Sequence, residues 1–255
     1  MHSIGEYEDI KMSYFTLQKS LSAKSPQSSA LFIVLYPRSY EQTQAQDQLA
    51  HLVASIQAQF PQASIVSVCL NSVELEDHLH QVLTLGNGAL TSDQDMATLT
   101  RQWRDLVQEL SQQYGVESAA TAVIGVAAAG ALVLELSKLA EPIAGRLITF
   151  GAGFMTIPQE ALHLKQTIHL LHAAQDPVIN VAHSKKAQAS IAQLQGDATI
   201  DIANQESSAL AQVLIQQMLQ RLQTCVPLWM WKEAYGMQDT DLEKLEALRA
   251  DATKH

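Results

Sequence analysis

A chain of 255 residues, 47% hydrophobic and 16% charged, is long and apolar enough to bury a sizeable core within one large α/β domain. Its formal net charge of −10 repels phosphate backbones and argues against a nucleic-acid partner. Two cysteines, Cys69 and Cys225, argue against a disulfide-dense secreted scaffold, and no apolar run approaches the ~20 residues of a membrane span.

The opening Met1 to Asp9 carries acid where a signal peptide needs a basic region, and no apolar run follows, so a cytoplasmic protein is expected. Residues 1–11 read as a polar extension, 12–236 as one domain and 237–255 as a helical tail. Tyr14 to Gln18 alternates as a short strand, and Ser20 to Ser29 is a Ser-rich loop. Leu31-Phe32-Ile33-Val34-Leu35-Tyr36 is a continuous apolar strand of the kind buried on both faces in a parallel sheet, stopped by Pro37. Gln42 to Phe60 is a helix with Leu49, Leu52, Val53 and Ile56 on one face, and Ser64 to Leu70 is the next strand. Residues 71–92 show no regular element and read as a solvated acidic loop; they hold Glu74, Glu76, Asp77, His78 and His80, then Gly86-Asn87-Gly88.

Asp93 to Tyr114 is a helix that turns Leu99, Trp103, Leu106, Val107 and Leu110 inward. A strand over 119–124 follows, then a helix over 128–140 and a strand over Arg146 to Phe150. Thr167 to His172 is a strand, His183 to Leu194 a helix, Ala198 to Ala203 a strand and Ser207 to Leu222 a helix. Alternating strands and helices predict a doubly wound, mostly parallel sheet flanked by helices. Pro227 to Trp231 is apolar and is expected to pack back on the domain. Asp239 to Ala250 is a charged helix with Leu242, Leu245 and Leu248 on one side. Two readings of it stay open: a surface helix closing the chain, or one that binds a partner or a second copy to give a homodimer.

At the centre, Thr121-Ala122-Val123-Ile124-Gly125-Val126 runs into Ala127-Ala128-Ala129-Gly130 and then an Ala/Leu helix. Strand, sharp turn, helix is the layout of a nucleophile elbow, normally Gly-x-Ser-x-Gly; here the Ser position is Ala127 and the second Gly position is Ala129. Further on stands His172-Ala173-Ala174-Gln175-Asp176-Pro177-Val178-Ile179-Asn180-Val181-Ala182-His183. On these segments, with Gly196 to Ile202 and Val226 to Ala234, the chain resembles the small bacterial carboxylesterase/phospholipase family of α/β-hydrolases, from about Tyr14 to about Ala234. In that family the elbow reads like Ala-Leu-Ile-Gly-Phe-Ser-Gln-Gly-Ala and the acid segment like His-Gly-Gly-x-Asp-x-Val-Ile-x-Val-x-His.

The resemblance implies an α/β-hydrolase fold and a Ser-Asp-His triad. It places the nucleophile at Ala127, the acid at Asp176, which is retained, and the base at Ser208 in Asn204-Gln205-Glu206-Ser207-Ser208. It places the oxyanion donors at Tyr36 and Ala128, although Tyr36-Pro37-Arg38 stands where relatives begin with His-Gly. A methyl group cannot form an acyl-enzyme, and a serine is no base near neutral pH. The expectation is an esterase-like protein that has lost triad catalysis and serves in binding or assembly. The alternatives are an active serine-type esterase with relocated residues and a binder of a small acyl or lipid-like ligand.

Other chemistry is weaker. Cys69 and His172 both end strands and could pair as nucleophile and base, but buried cysteines are usually inert packing. His78-x-His80 beside Glu74, Glu76 and Asp77 has metal-like composition without a further spaced ligand set, so no metal and no cofactor are expected. Asp176 before Pro177 also suits an ordinary turn in which the carboxylate holds backbone N–H groups.

Overall fold

The computed structural model describes residues 14–21, 28–85 and 93–235. Its strands are β1 (Phe15–Leu21), β2 (Ala30–Pro37), β3 (Ala63–Leu70), β4 (Thr121–Val126), β5 (Arg146–Phe150), β6 (Thr167–Ala173) and β7 (Ala198–Ala203). Its α-helices are α1 (Thr43–Gln59), α2 (Val73–Leu85), α3 (Asp93–Tyr114), α4 (Gly130–Leu136), α5 (Ala182–Gln193), α6 (Gln212–Thr224) and α7 (Leu228–Tyr235). The extension over 1–11, Gly86-Asn87-Gly88 and the tail helix lie outside the described residues.

The strands form one sheet in the order β1-β3-β2-β4-β5-β6-β7. β1 runs antiparallel to β3 at one edge, and every other pairing is parallel. The continuous apolar runs form the inner strands because both faces of the sheet are covered. Along β2, Leu31, Ile33 and Leu35 join one core with α3, α4 and α5, while Phe32, Val34 and Tyr36 join a second with α1 and α6. The inward face expected for α3 is buried throughout, and Trp103 stacks at 5.3 Å on Phe15 of the edge strand. The apolar segment after α6 does pack back: Asp197 Oδ2 accepts both the Thr167 hydroxyl at 2.7 Å and the Leu228 N–H at 2.9 Å. No helix among the described residues is long and apolar enough to cross a membrane.

Three local expectations need correction. The stretch taken as a loop contains α2, whose Leu75, Leu79 and Leu83 recur at helical spacing against the core. Polar residues hid it, because Glu76 and His78 are themselves buried. The helix expected over 128–140 is shorter, Gly130–Leu136, and is preceded by a 3-10 turn over Ala127–Ala129. The last core helix starts at Gln212 rather than Ser207, because Ala211 is extended at φ −56°, ψ 140°.

β4 and α4 cross very closely. A Cβ on Gly125 would lie 2.5 Å from Gly130 Cα, and one on Gly130 would lie 2.6 Å from Ala152 Cβ. Glycine at both positions lets the strand pass straight into a helix that folds back over it, which sets Ala127 at the top of the sheet.

Candidate functional site

Ala127 follows β4 with φ +49°, a left-handed conformation that costs a residue with a side chain about 1–2 kcal/mol. Strand, left-handed turn and helix match the layout expected of a nucleophile elbow, here carrying a methyl group. The turn lifts that methyl into a cavity of about 180 Å³ beyond the carboxyl ends of the central strands, where ligand crevices form in such sheets. Asp176 from the β6 turn and Ser208 from the segment after β7 line the same cavity. The three positions assigned by resemblance to nucleophile, acid and base thus converge in space.

Their side chains are not joined as a relay. Asp176 Oδ1 accepts the N–H groups of Val178 at 2.8 Å and Ile179 at 3.0 Å, which is the backbone-holding turn expected from Asp-Pro. Ser208 Oγ donates to Gln48 Oε1 on α1 at 3.0 Å. Behind this turn lies His172, fully buried, with Nε2–H donating to the Ile179 carbonyl at 2.8 Å and Nδ1 bonded to Ser184 Oγ at 2.7 Å. Burial holds its pKa below the ordinary histidine value, against the opposing pull of the Ile179 carbonyl and Asp176. His172 therefore braces the acid turn from inside.

The oxyanion side departs further. The Tyr36 ring is buried in the core under α1, and the residue after it, Pro37, has no N–H to offer. Ala128 lies in the first turn after the elbow, where amides lack partners within the helix. Two residues past Pro37, the Ser39 N–H donates to Glu76 Oε2 at 3.3 Å, and the Ser39 hydroxyl bonds to Glu76 Oε1. A buried carboxylate thus takes donors from the turn that the resemblance places beside the oxyanion. Its field reaches the cavity: burial, then Asp176, then Glu76 push the Tyr40 phenol up to about 12. No Lys or Arg lines this cavity among the described residues.

The sequence did not single out Ser39, Tyr40 or Gln48 as site residues, and it met Glu76 and His80 only as part of a loop. On α2, Glu76 and His80 are four residues apart, share one face, and both reach the cavity. That i, i+4 spacing was the available signal. Glu74 and His78 project from the opposite side of the helix, Asp77 is exposed and does not line the cavity, and no group of three His, Cys, Asp or Glu able to hold a metal occurs among the described residues.

The pairing of Cys69 with His172 is overturned by strand order. β2, β4 and β5 lie between β3 and β6. At about 4.8 Å per strand the two residues stand about 19 Å apart across the sheet. Cys69 is buried, and burial, reinforced by the Glu41 carboxylate, pushes its thiol up to about 12.

Residues 53–226 match the family model described as Phospholipase/Carboxylesterase. Over 130 residues the chain is 34% identical to the esterase YpfH of Escherichia coli K12, a match covering 51% of this chain and 56% of that esterase. The chain therefore spans little more than half the length of that curated relative. Among solved structures, esterase PE8 superposes with a TM-score of 0.64 over 82% of this chain and 99% of its own, at 19% identity. The Bacillus cereus carboxylesterase superposes with a TM-score of 0.62 over 84% and 96%, at 11% identity. At such identities the superpositions speak for the α/β-hydrolase fold, and the family model speaks for descent. With well over half its length matching that model, the chain belongs to the phospholipase/carboxylesterase family of α/β-hydrolases.

Proposed function

We propose that this family member has lost ester hydrolysis by the serine triad and keeps the scaffold for binding. The observation that carries this reading is Ala127: the strained backbone of the elbow is retained at φ +49° while the side chain it presents has no lone pair. Serine attack needs an oxygen, a base to take its proton, and donors for the oxyanion. Here the base position is a serine committed to Gln48, and Glu76 takes the Ser39 donors. A cavity of about 180 Å³ admits only a small group, below the range of about 300–1,000 Å³ typical of ligand sites.

The test is hydrolysis of p-nitrophenyl acetate and butyrate by the purified chain, alongside labelling with a fluorophosphonate probe. The expected result is no turnover above the buffer rate and no covalent label. Turnover that the probe abolishes would overturn the reading.

A second reading has one observation in its favour, namely that His80, Ser39 and Ser208 share the cavity. It is an active serine-type esterase with relocated residues. Against it, the Ser39 hydroxyl is bonded to Glu76, the Ser208 hydroxyl is donated to Gln48, and no hydrogen bond joins the His80 ring to either among the described residues. A labelled Ser39 or Ser208 in the same experiment, lost on His80→Ala, would select this reading.

A further inference from the structure

A much larger cavity lies on the opposite face of the sheet from α2–α5. It measures about 730 Å³, within the size range of small-molecule sites, and runs between α1 and the antiparallel edge formed by β1 and β3. Along its wall α1 presents Ala50, Ala54 and Ala58 in one row at four-residue spacing, with Leu49 and Val53 beside them and Leu21 of β1 opposite. From Gln46 to Ala58 this wall is about 18 Å long at 1.5 Å per residue. Small methyl groups in a row leave an elongated apolar channel rather than a filled helix–sheet contact.

The polar groups sit at specific places along it. Tyr36, Tyr40 and Glu41 line the cavity where β2 ends, and Gln57 lines it near the far end of α1. The Gln57 amide nitrogen, Nε2, is buried and has no hydrogen-bond partner among the described residues. A donor left without an acceptor in such a place is costly, and a carbonyl or hydroxyl oxygen brought by a ligand would satisfy it. Glu41 is the one charged group among the described lining residues. It accepts a hydrogen bond from Gln18 Nε2 at 3.0 Å, and its negative charge helps to hold the Tyr36 phenol and the Cys69 thiol protonated. With no Lys or Arg in that lining, a fatty-acid carboxylate at Gln57 would find no counter-ion.

We propose that this cavity is a binding site for an uncharged single-chain acyl amphiphile of the monoacylglycerol class. Its carbon chain lies along the alanine row and its ester carbonyl accepts the Gln57 amide. The site is separate from the cavity at Ala127, and Tyr40 borders both. Any result on ester hydrolysis leaves it intact.

The test is calorimetric titration of the full chain with monodecanoylglycerol below its micelle concentration, with decanoate at pH 8 as the charged control. Expected is saturable binding of the monoacylglycerol, at least tenfold weaker binding of decanoate, and at least a tenfold loss in Ala54→Trp, which fills the channel. Ala54 is solvent-exposed, so that variant retains the fold; Ala50→Trp is the second blocking variant. Gln57→Leu is expected to weaken binding of the monoacylglycerol about fivefold to twentyfold. Absence of saturable binding, equal affinity for decanoate, or affinity unchanged in both tryptophan variants would overturn the proposal.

Discussion

Ser208 donates its hydroxyl to Gln48 across the gap between the segment after β7 and α1, at 3.0 Å. The position that the family resemblance assigns to the catalytic base is thereby engaged with α1. Asp176 still lines the same cavity, but its Oδ1 is committed to the Val178 and Ile179 amides. The two residues that the resemblance assigns to acid and base thus share one cavity while each makes its own separate structural bond.

Rebuilding the triad by Ala127→Ser with Ser208→His is therefore expected to give at most weak esterase activity. Pro37 removes one amide, and Glu76 occupies the Ser39 donors. Losing one oxyanion donor lowers turnover by about 10²–10³ in a well-studied protease. Adding Glu76→Gln removes the negative charge and should raise p-nitrophenyl butyrate hydrolysis at least tenfold above the double variant. Strong activity in the double variant alone would show that the Tyr36-Pro37-Arg38 turn still serves an oxyanion.

The elbow makes a second prediction, independent of chemistry. Left-handed φ costs alanine about 1–2 kcal/mol at position 127, whereas glycine adopts it freely at an entropic cost of about 0.4–1 kcal/mol. Ala127→Gly should therefore leave the stability from urea denaturation within about 1 kcal/mol of the parent chain. Ala131→Gly, within α4 and fully buried, should lose about 1 kcal/mol or more by helix propensity and lost packing. A loss above about 2 kcal/mol at Ala127 would mean that its methyl is a packing group and that the turn carries little strain.

The sequence made the sheet legible because runs such as Leu31 to Tyr36 and Thr121 to Val126 are apolar on both faces, and only a strand covered on both sides tolerates that pattern. The elbow was legible from Gly125 and Gly130, whose spacing the close crossing of β4 and α4 requires. α2 was not, because Glu76 turns inward to bind Ser39 and so breaks the apolar stripe that identifies a helix. The distance between Cys69 and His172 was equally hidden: chain order does not give strand order, and three strands intervene. The commitments of Ser208 to Gln48 and of Ser39 to Glu76 join residues far apart in sequence, and no local pattern announces them.

The crossing of β4 and α4 gives a third prediction. A Cβ on Gly125 would meet Gly130 Cα at 2.5 Å and Val133 Cγ2 at 2.7 Å, so strand and helix would have to move apart. Gly125→Ala should cost about 3 kcal/mol, the upper end of ordinary overpacking. Gly115→Ala is the contrast, because a Cβ there meets nothing within 4 Å and only its φ of +63° is strained. That variant should cost about 1–2 kcal/mol. Equal losses at the two glycines, measured by urea midpoint, would count against close packing as the reason for Gly125.

The fourth prediction follows from the groups buried between α1 and the sheet. The Cys69 thiol is raised from 9.0 to about 12 by burial and then by Glu41, and the Tyr40 phenol from 10.0 to about 12 by burial and then by Asp176 and Glu76. Both are acids whose charged form the fold disfavours. Below pH 9 folded and unfolded chains hold these protons alike, and the contribution to stability is complete. Between about pH 9 and 12 the unfolded chain releases them while the folded chain keeps them, so the unfolded state binds fewer protons and stability falls as the pH rises. The urea midpoint should drop steadily from pH 9 to pH 11, and Cys69→Ala should flatten part of that slope. At pH 8 iodoacetamide should modify the half-buried Cys225 of the folded chain and spare Cys69, which becomes reactive only in urea. Rapid alkylation of Cys69 in the folded chain would show that the thiol under α1 is open to solvent and that the alkaline loss has another source.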